Sequence, residues 1–180
     1  MLSEELAIVA NLICGQRQAA LGTLRDPSTG SEQNGAPFVS MVAYAAEPDF
    51  GGFLLHLSRL APHTRHLLAA PQAALLICEP DDGREDVQTL ARITLAGPAA
   101  PIAAGSPEHA AARARYLARL PAAAPLFDFP DFALFRLAPA EARYVGGFAR
   151  AYTLTPEHLR QATRLQATEG TERTEHSFEL

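Results

Sequence analysis

Lysine is absent from this chain of 180 residues, and all 15 of its basic residues are arginine. Schiff-base enzymes and P-loop nucleotide hydrolases both need a lysine, so neither class fits this sequence. Any anionic ligand would have to be held by arginine, histidine, hydroxyl groups or backbone N–H groups.

Cysteine is also scarce. The two cysteines, Cys14 and Cys78, lie in apolar segments without metal-ligand spacing or a nearby histidine. Isolated cysteines of this kind are typical of buried thiols in a reducing compartment, so we expect no disulfide and a cytoplasmic location. The first 15 residues carry no basic region of the kind that opens a signal peptide. No apolar run approaches the roughly 20 residues that span a membrane, so we expect no membrane partner.

Charge and motifs exclude further functions. The formal net charge of −5 argues against a nucleic-acid surface. The sequence contains no GxGxxG, GxxxxGK, HExxH or GxSxG motif. His63 and His66 are spaced for one face of a helix, but no third ligand accompanies them, so we expect no metal site.

Hydrophobic periodicity predicts a single domain over residues 1–167 and a disordered tail over residues 168–180. Leu6, Val9, Ala10 and Ile13 repeat at helical spacing near the N-terminus and form one apolar face. Residues 25–36 are polar and rich in turn formers, which predicts a long hairpin loop.

The pattern indicates about seven strands and three or four helices. The predicted strands are residues 18–24, 38–44, 53–57, 73–78, 92–97, 132–137 and 142–152, the last of them broken by Gly146 and Gly147. One helix follows the third strand and another follows the fifth. The other strands are joined without helices, so we predict an α+β, mainly β fold: an antiparallel barrel with peripheral helices.

The segment from Phe53 to Glu79 places a possible anion site at the end of the third strand. It opens with the apolar run FLLHL, typical of a strand buried on both faces, and Pro62 suits the first turn of a helix. Unpaired N–H groups and a partial positive charge at a helix start attract phosphate. The residues delivered to this helix start are Ser58, Arg59, His63, Thr64 and Arg65. A solvated helix start with arginines in water fits the same pattern, and the residues alone leave both interpretations open.

His56 lies inside the same apolar strand and also allows two interpretations. A histidine in such a position is usually a core residue with satisfied hydrogen bonds. The alternative is a haem ligand. The sequence favours the core residue.

Several of these segments carry a family resemblance. The strands PFVSMVAY, AALLICEP and RITLAG flank two more specific stretches, LSRLAPHTRHL and RYVGGFARAY. In this order they resemble the pyridoxamine 5′-phosphate oxidase-like proteins, an FMN-binding split β-barrel family, in the branch that includes the haem-utilisation proteins. The resemblance extends over about residues 10–155. It implies an antiparallel split β-barrel, bound FMN, and a homodimer with the cofactor in a groove between the subunits.

The resemblance also implies roles for individual residues. Ser40 and Val42 would lie on the strand beside the flavin, and Arg92 would meet the edge of the isoalloxazine. The residues implied around the FMN phosphate are Ser58, Arg59, His63, Thr64 and Arg65. The residues implied to close the site from the second subunit are Gly146, Gly147 and Phe148.

Two features of related proteins are not recognisable here. Arg143 and Arg150 do not reproduce the arginine-rich substrate end of pyridoxamine 5′-phosphate oxidases. His158 and His176 are poor matches for the haem-ligand histidine of many haem-utilisation proteins. The sequence therefore favours an FMN-dependent oxidoreductase acting on an unidentified small molecule. The alternatives are a flavin or haem carrier without turnover, and a dimeric interaction domain without flavin.

Overall fold

The computed structural model describes the backbone of residues 2–25, 35–147 and 150–175, and the side chains of residues 3–25, 35–147 and 150–165. Nine strands and four α-helices form within these ranges. The strands are β1 (Gln18–Leu24), β2 (Pro37–Ala43), β3 (Ala45–Ala46), β4 (Phe53–Ser58), β5 (Gln72–Cys78), β6 (Arg92–Pro101), β7 (Phe132–Leu137), β8 (Glu141–Val145) and β9 (Ala151–Leu154). The helices are α1 (Leu2–Gly15), α2 (Pro62–Ala69), α3 (Pro107–Arg119) and α4 (Pro156–Glu175). A 3₁₀ helix spans Val87–Thr89, and a second, Pro121–Asp128, is called the roof helix below.

The strands form one curled antiparallel sheet in the order β2-β1-β5-β6-β7-β4-β3, with β8 paired to β6 and β9 paired to β8. Strand β6 is the junction of this sheet. Along one of its edges, Arg92–Ala96 pairs with β8, and Ala99–Pro101 then pairs with β7. Because one strand serves two partners in succession, the sheet divides into the two halves of a split barrel.

Gly97 lies where β6 changes partner. The corner between β7 and β8 is hydrogen-bonded on both sides of it, with Ala138 N donating to Pro98 O at 2.9 Å and Ala140 N donating to Ala96 O at 2.8 Å. A Cβ atom at Gly97 would collide with the backbone oxygen of Ala138. Glycine is therefore required here for the close approach of another backbone segment.

The barrel core is closed at one end by two helices. Leu6, Val9, Ala10 and Ile13 of α1 are fully buried, as their helical spacing predicted. Helix α4 packs beside α1 and adds its own apolar residues to the same cluster. The apolar face of α1 is thus explained by burial against both the sheet and α4.

Strand β4 is buried on both faces, as its unbroken apolar run indicated. Phe53, Leu55 and Leu57 point into the barrel core. Leu54 points the other way, into a second and smaller cluster formed with α3, whose Tyr116 is also fully buried. The strand therefore separates two apolar compartments, one inside the barrel and one beneath α3.

The structure confirms the predicted antiparallel split barrel with peripheral helices. The predicted single strand 142–152 is wrong, because the structure has two antiparallel strands there, β8 and β9. Gly146 N donates to Arg150 O at 2.8 Å, and Gly147 has a φ of 109°, which favours glycine. Phe148, which the resemblance placed at the site, lies outside the described ranges. So do residues 26–34 of the predicted hairpin loop.

The backbone of helix α4 is helical as far as Glu175. Residues 176–180 of the predicted tail lie outside the described ranges, and the domain limit at residue 167 stays a prediction. None of the helices described here combines the length and the hydrophobicity that a membrane crossing requires. The cytoplasmic location also stays a prediction.

We expect Gly97→Ala to lower the free energy of unfolding by about 1–3 kcal/mol, since the new methyl group meets rigid backbone rather than a movable side chain. Gly15→Ala is the control, because nothing lies within 4 Å of a Cβ atom at this position at the end of α1. That control should be neutral or slightly stabilising. Equal urea midpoints for the two variants would contradict the role given to Gly97.

Candidate functional site

The turn between β4 and α2 is locked by Ser58 and Asp131. Ser58 Oγ donates to Asp131 Oδ2 at 2.7 Å and accepts a hydrogen bond from Leu60 N at 3.1 Å. The backbone N–H of Arg59 donates to Asp131 O at 2.7 Å. The one hydroxyl proton of Ser58 is therefore in use, and a phosphate could accept it only by displacing a carboxylate of the same charge sign.

The start of α2 nevertheless keeps features of an anion site. Its N-cap residue, Ala61, makes no side-chain cap, so the first N–H groups of the helix lack that partner. The side chains of Arg59 and Arg65 are exposed beside it, and neither guanidinium makes a hydrogen bond or ion pair with another described residue. A dianionic group could be held here by two guanidinium groups and the helix start.

His63 connects this helix start to the edge strand β2. Its Nδ1 and the Oγ of Ser40 share a hydrogen bond of 2.9 Å. Burial, and then the nearby charge of His66, lowers the pKa of His63 below its ordinary value. His63 is thus a neutral, oriented imidazole in the ligand-free protein, and its Nε2 makes no hydrogen bond to another described residue. His66 faces elsewhere and shares a hydrogen bond of 3.1 Å with Thr23 Oγ1.

Three other residues implied by the resemblance lie in different surroundings. Val42 is buried and lines a cavity that also contains Ser58 and His63 in its walls. Thr64 is fully buried beneath α2, and its hydroxyl has no hydrogen-bond partner among the described residues. Arg92 does not line that cavity; its guanidinium donates to the carbonyl oxygens of Gln88 and Leu90 at 2.9 and 3.1 Å. The cofactor role of Arg92 stays a prediction.

A cavity of about 590 Å³ opens beside the β4–α2 turn. Its walls come from β2, β4, the start of α2, the end of α3 and the roof helix, and most of its lining is apolar. Ser58 and His63 lie on its α2 side, so the cavity and the anion site adjoin. Its size falls within the roughly 300–1,000 Å³ of small-molecule sites.

His56 lines this cavity and is 9% exposed. Its ring stacks on that of Phe127 in the roof helix, with 3.8 Å between the ring centres and an interplanar angle of 7°. The ring centres of Tyr116 and Phe132 lie 5.8 and 5.1 Å from that of His56. Its Nδ1 is buried without a hydrogen-bond partner among the described residues. The expectation of a core histidine with satisfied hydrogen bonds is therefore wrong, because its neighbours are aromatic rings rather than polar groups.

The charges around the cavity are mostly positive. Arg17 lines it, and the guanidinium of Arg113 lies 5.0 Å from the centre of the Phe127 ring. Burial, and then the charges of His109 and Arg113, lowers the pKa of His56 to about 4. At neutral pH the cavity thus offers an uncharged imidazole inside and cations at its edge, which suits a flat apolar ligand with acidic substituents.

Sequence comparison places this architecture in a known family. The model of the family described as "CREG, beta-barrel" matches residues 3–159. The chain belongs to the CREG β-barrel family. This assignment agrees with the resemblance to split-barrel proteins that the sequence carries.

One curated relative of this CREG β-barrel chain is the "non-canonical heme oxygenase HOZ" of Arabidopsis thaliana chloroplasts, 40% identical over 152 residues. The match covers 83% of this chain and 41% of that protein. The chain therefore spans about two fifths of the length of this relative.

Two solved structures extend the comparison. A heme-binding protein from Mycobacterium smegmatis is 32% identical, with a TM-score of 0.73, over 86% of this chain and 60% of that chain. A Clostridium acetobutylicum protein related to general stress protein 26, described as of the pyridoxinephosphate oxidase family, has a TM-score of 0.65 at 15% identity. That match covers 87% of this chain and 98% of the other, and it supports the fold alone.

Sequence reasoning missed the aromatic wall of this CREG β-barrel cavity. No sequence-based prediction placed Tyr116 or residues 121–130 at a binding site. The available signal was the cluster Phe127, Phe129 and Phe132 among prolines, since aromatic residues need burial. Nothing local in the sequence indicates that Phe127 stacks on His56.

Proposed function

We propose that this protein binds haem in the cavity beside the β4–α2 turn, as its substrate or cargo. The observation that carries the proposal is an apolar cavity holding neutral histidines, in a chain 32–40% identical to proteins named for heme binding and heme oxygenation. Haem supplies redox-active iron, while the chain supplies binding and orientation.

The described residues fit such a ligand. His56 and His63 both line the cavity, and imidazole is a common haem-iron ligand. Arg17 lies at the same cavity, and Arg59 is exposed near the helix start, so cations are available for the carboxylates of a porphyrin. The apolar walls suit the macrocycle.

We expect added haem to give a saturable absorption change at one haem per chain, and Ala122→Trp to weaken this binding at least about tenfold (~1.4 kcal/mol). Ala122 is an exposed residue of the roof helix that lines the cavity, so the indole would occupy ligand space. Spectroscopic titration measures both affinities.

Ala124→Trp is the matched control. Ala124 is also exposed on the roof helix but does not line the cavity. The haem affinity of the Ala124→Trp variant should therefore remain within about twofold of wild type. Equal affinity in both tryptophan variants would place haem elsewhere, and no absorption change in the wild type would reject haem binding.

FMN is the second candidate ligand, and the uncapped start of α2 favours it. Arg59, Arg65 and His63 lie within the β4–α2 turn and the first turn of α2, where no side chain caps the first N–H groups, and this suits the dianionic end of FMN. The Asp131 carboxylate on Ser58 opposes it, since like charges repel and the serine hydroxyl is occupied. If the attraction of Arg59 and Arg65 for the phosphate exceeds the repulsion by Asp131, the protein would bind FMN and could act as an FMN-dependent oxidoreductase.

We expect Arg59→Ala combined with His63→Ala to abolish FMN binding while the protein stays folded. FMN binding to wild type should also tighten as pH falls from 8 to 7, because a dianion raises the pKa of the neutral His63 and binding then takes up a proton. Flavin fluorescence titration gives both results. Arg115→Ala, which removes an exposed arginine of α3, is the control. Unchanged FMN affinity in the double variant would remove this assignment.

We further propose that two copies of the chain associate through the outward face of β2 and β1. Val39 and Met41 on the edge strand β2 are 66% and 71% exposed. The strand register sets them opposite Gly22 and Ala20 of β1, so an apolar strip forms. Met41 also lines the cavity, so a second copy here would lie beside its mouth, as the resemblance to dimeric split barrels implies.

Val39→Glu should convert the dimer to a monomer, because it places a charge in the apolar strip. Val87→Glu is the matched control, since Val87 is 55% exposed on the 3₁₀ helix outside this strip. Sedimentation equilibrium gives the mass of each variant. A monomeric wild type, or a Val39→Glu variant of unchanged mass, would contradict this interface.

A further inference from the structure

His56 presents a problem that packing alone does not explain. A buried ring nitrogen without a hydrogen bond typically costs ~1–3 kcal/mol, and an apolar side chain of similar size would avoid that cost. Strand β4 is apolar at its other buried positions, Phe53, Leu54, Leu55 and Leu57. A buried polar atom without a partner needs a physical explanation, and a role in ligand binding supplies one here.

The geometry leaves one ring nitrogen facing the cavity. Phe127 covers one face of the His56 ring, and Nδ1 is fully buried. Nε2 is not among the fully buried unpaired atoms, and no hydrogen bond to another described residue occupies it. Because His56 lines the cavity, the edge that carries Nε2 is the edge a ligand meets.

We propose that His56 Nε2 is the atom that would coordinate the iron of haem bound in this cavity. The inference rests on the haem binding proposed above and deepens it, since it names the coordinating atom. A ring nitrogen that lacks a protein partner is free to coordinate, and an uncharged imidazole is the form that binds metals. The aromatic contacts with Tyr116, Phe127 and Phe132 hold the ring in one orientation before the ligand arrives.

His63 is the competing ligand, because it lines the same cavity. Its surroundings differ from those of His56 in two respects. It is only half-buried, and its Nδ1 is paired with Ser40, so no unsatisfied buried atom marks it. It also lies beside the exposed arginines of the α2 start, where it suits the acidic edge of a ligand better than its metal centre.

The test compares ferric haem with iron-free protoporphyrin IX. His56→Gln keeps a polar side chain of similar length, and His56→Ala leaves a space for added imidazole. We expect both variants to lose at least about tenfold in haem affinity, since removing even an outer-shell partner of a metal ligand typically costs ~10–100-fold. Protoporphyrin affinity should change much less, because no iron is involved.

Spectra provide a second readout that does not depend on affinity. The haem absorption and paramagnetic resonance spectra of His56→Ala should differ from those of wild type, and added imidazole should restore them. His109→Ala is the control, since it removes a half-buried histidine near His56 that does not line the cavity. It should leave both spectra unchanged.

The outcomes separate the two proposals. A wild type that binds neither haem nor protoporphyrin rejects the proposed function itself. If the wild type binds haem and both His56 variants have unchanged spectra, only the ligand assignment is overturned. The same holds if His63→Ala is the one variant that loses iron coordination. Urea unfolding of each variant ensures that lost binding is not lost folding.

Discussion

The close backbone contact at Gly97 is the constraint on which the architecture depends. With no side chain there, the β7–β8 corner can bond to β6 on both sides of the glycine. That arrangement lets β6 join β8 and then β7 along one edge, which splits the barrel. It also brings β7 beside β4, so Asp131, just before β7, can lock the turn after Ser58. The position of the candidate site is thus a consequence of sheet topology.

The absence of lysine gives the site its chemical character. Fixed positive charge around it comes from guanidinium groups, which stay charged at any physiological pH, while the imidazoles of His56 and His63 are kept neutral by burial. Cations therefore lie at the edge and uncharged nitrogen bases lie inside. Asp131 limits how much negative charge the α2 end accepts, so a ligand with separated acidic groups fits better than one compact dianion.

Local patterns predicted much of the fold. The helical spacing of Leu6 to Ile13 and the apolar run of β4 each determine burial within a few residues, so both were predictable. The helix start after Ser58 was likewise found at the expected place. The double partnership of β6 and the stacking of Phe127 on His56 join distant parts of the chain, and spacing carries no information about such contacts. The interruption between β8 and β9 at Gly146 is an intermediate case, because a glycine pair between apolar runs also fits a hairpin.

The two separate apolar clusters have a consequence for how this family can diversify. Part of the cavity wall is formed by residues of the small cluster under α3, whereas the residues of α1 and α4 belong to the large cluster in the barrel core. Substitutions at Tyr116 or in the roof helix can therefore reshape the binding space without disturbing the packing of α1 on the sheet. The shape of the cavity can therefore change among members of this fold during evolution while the free energy of unfolding changes little.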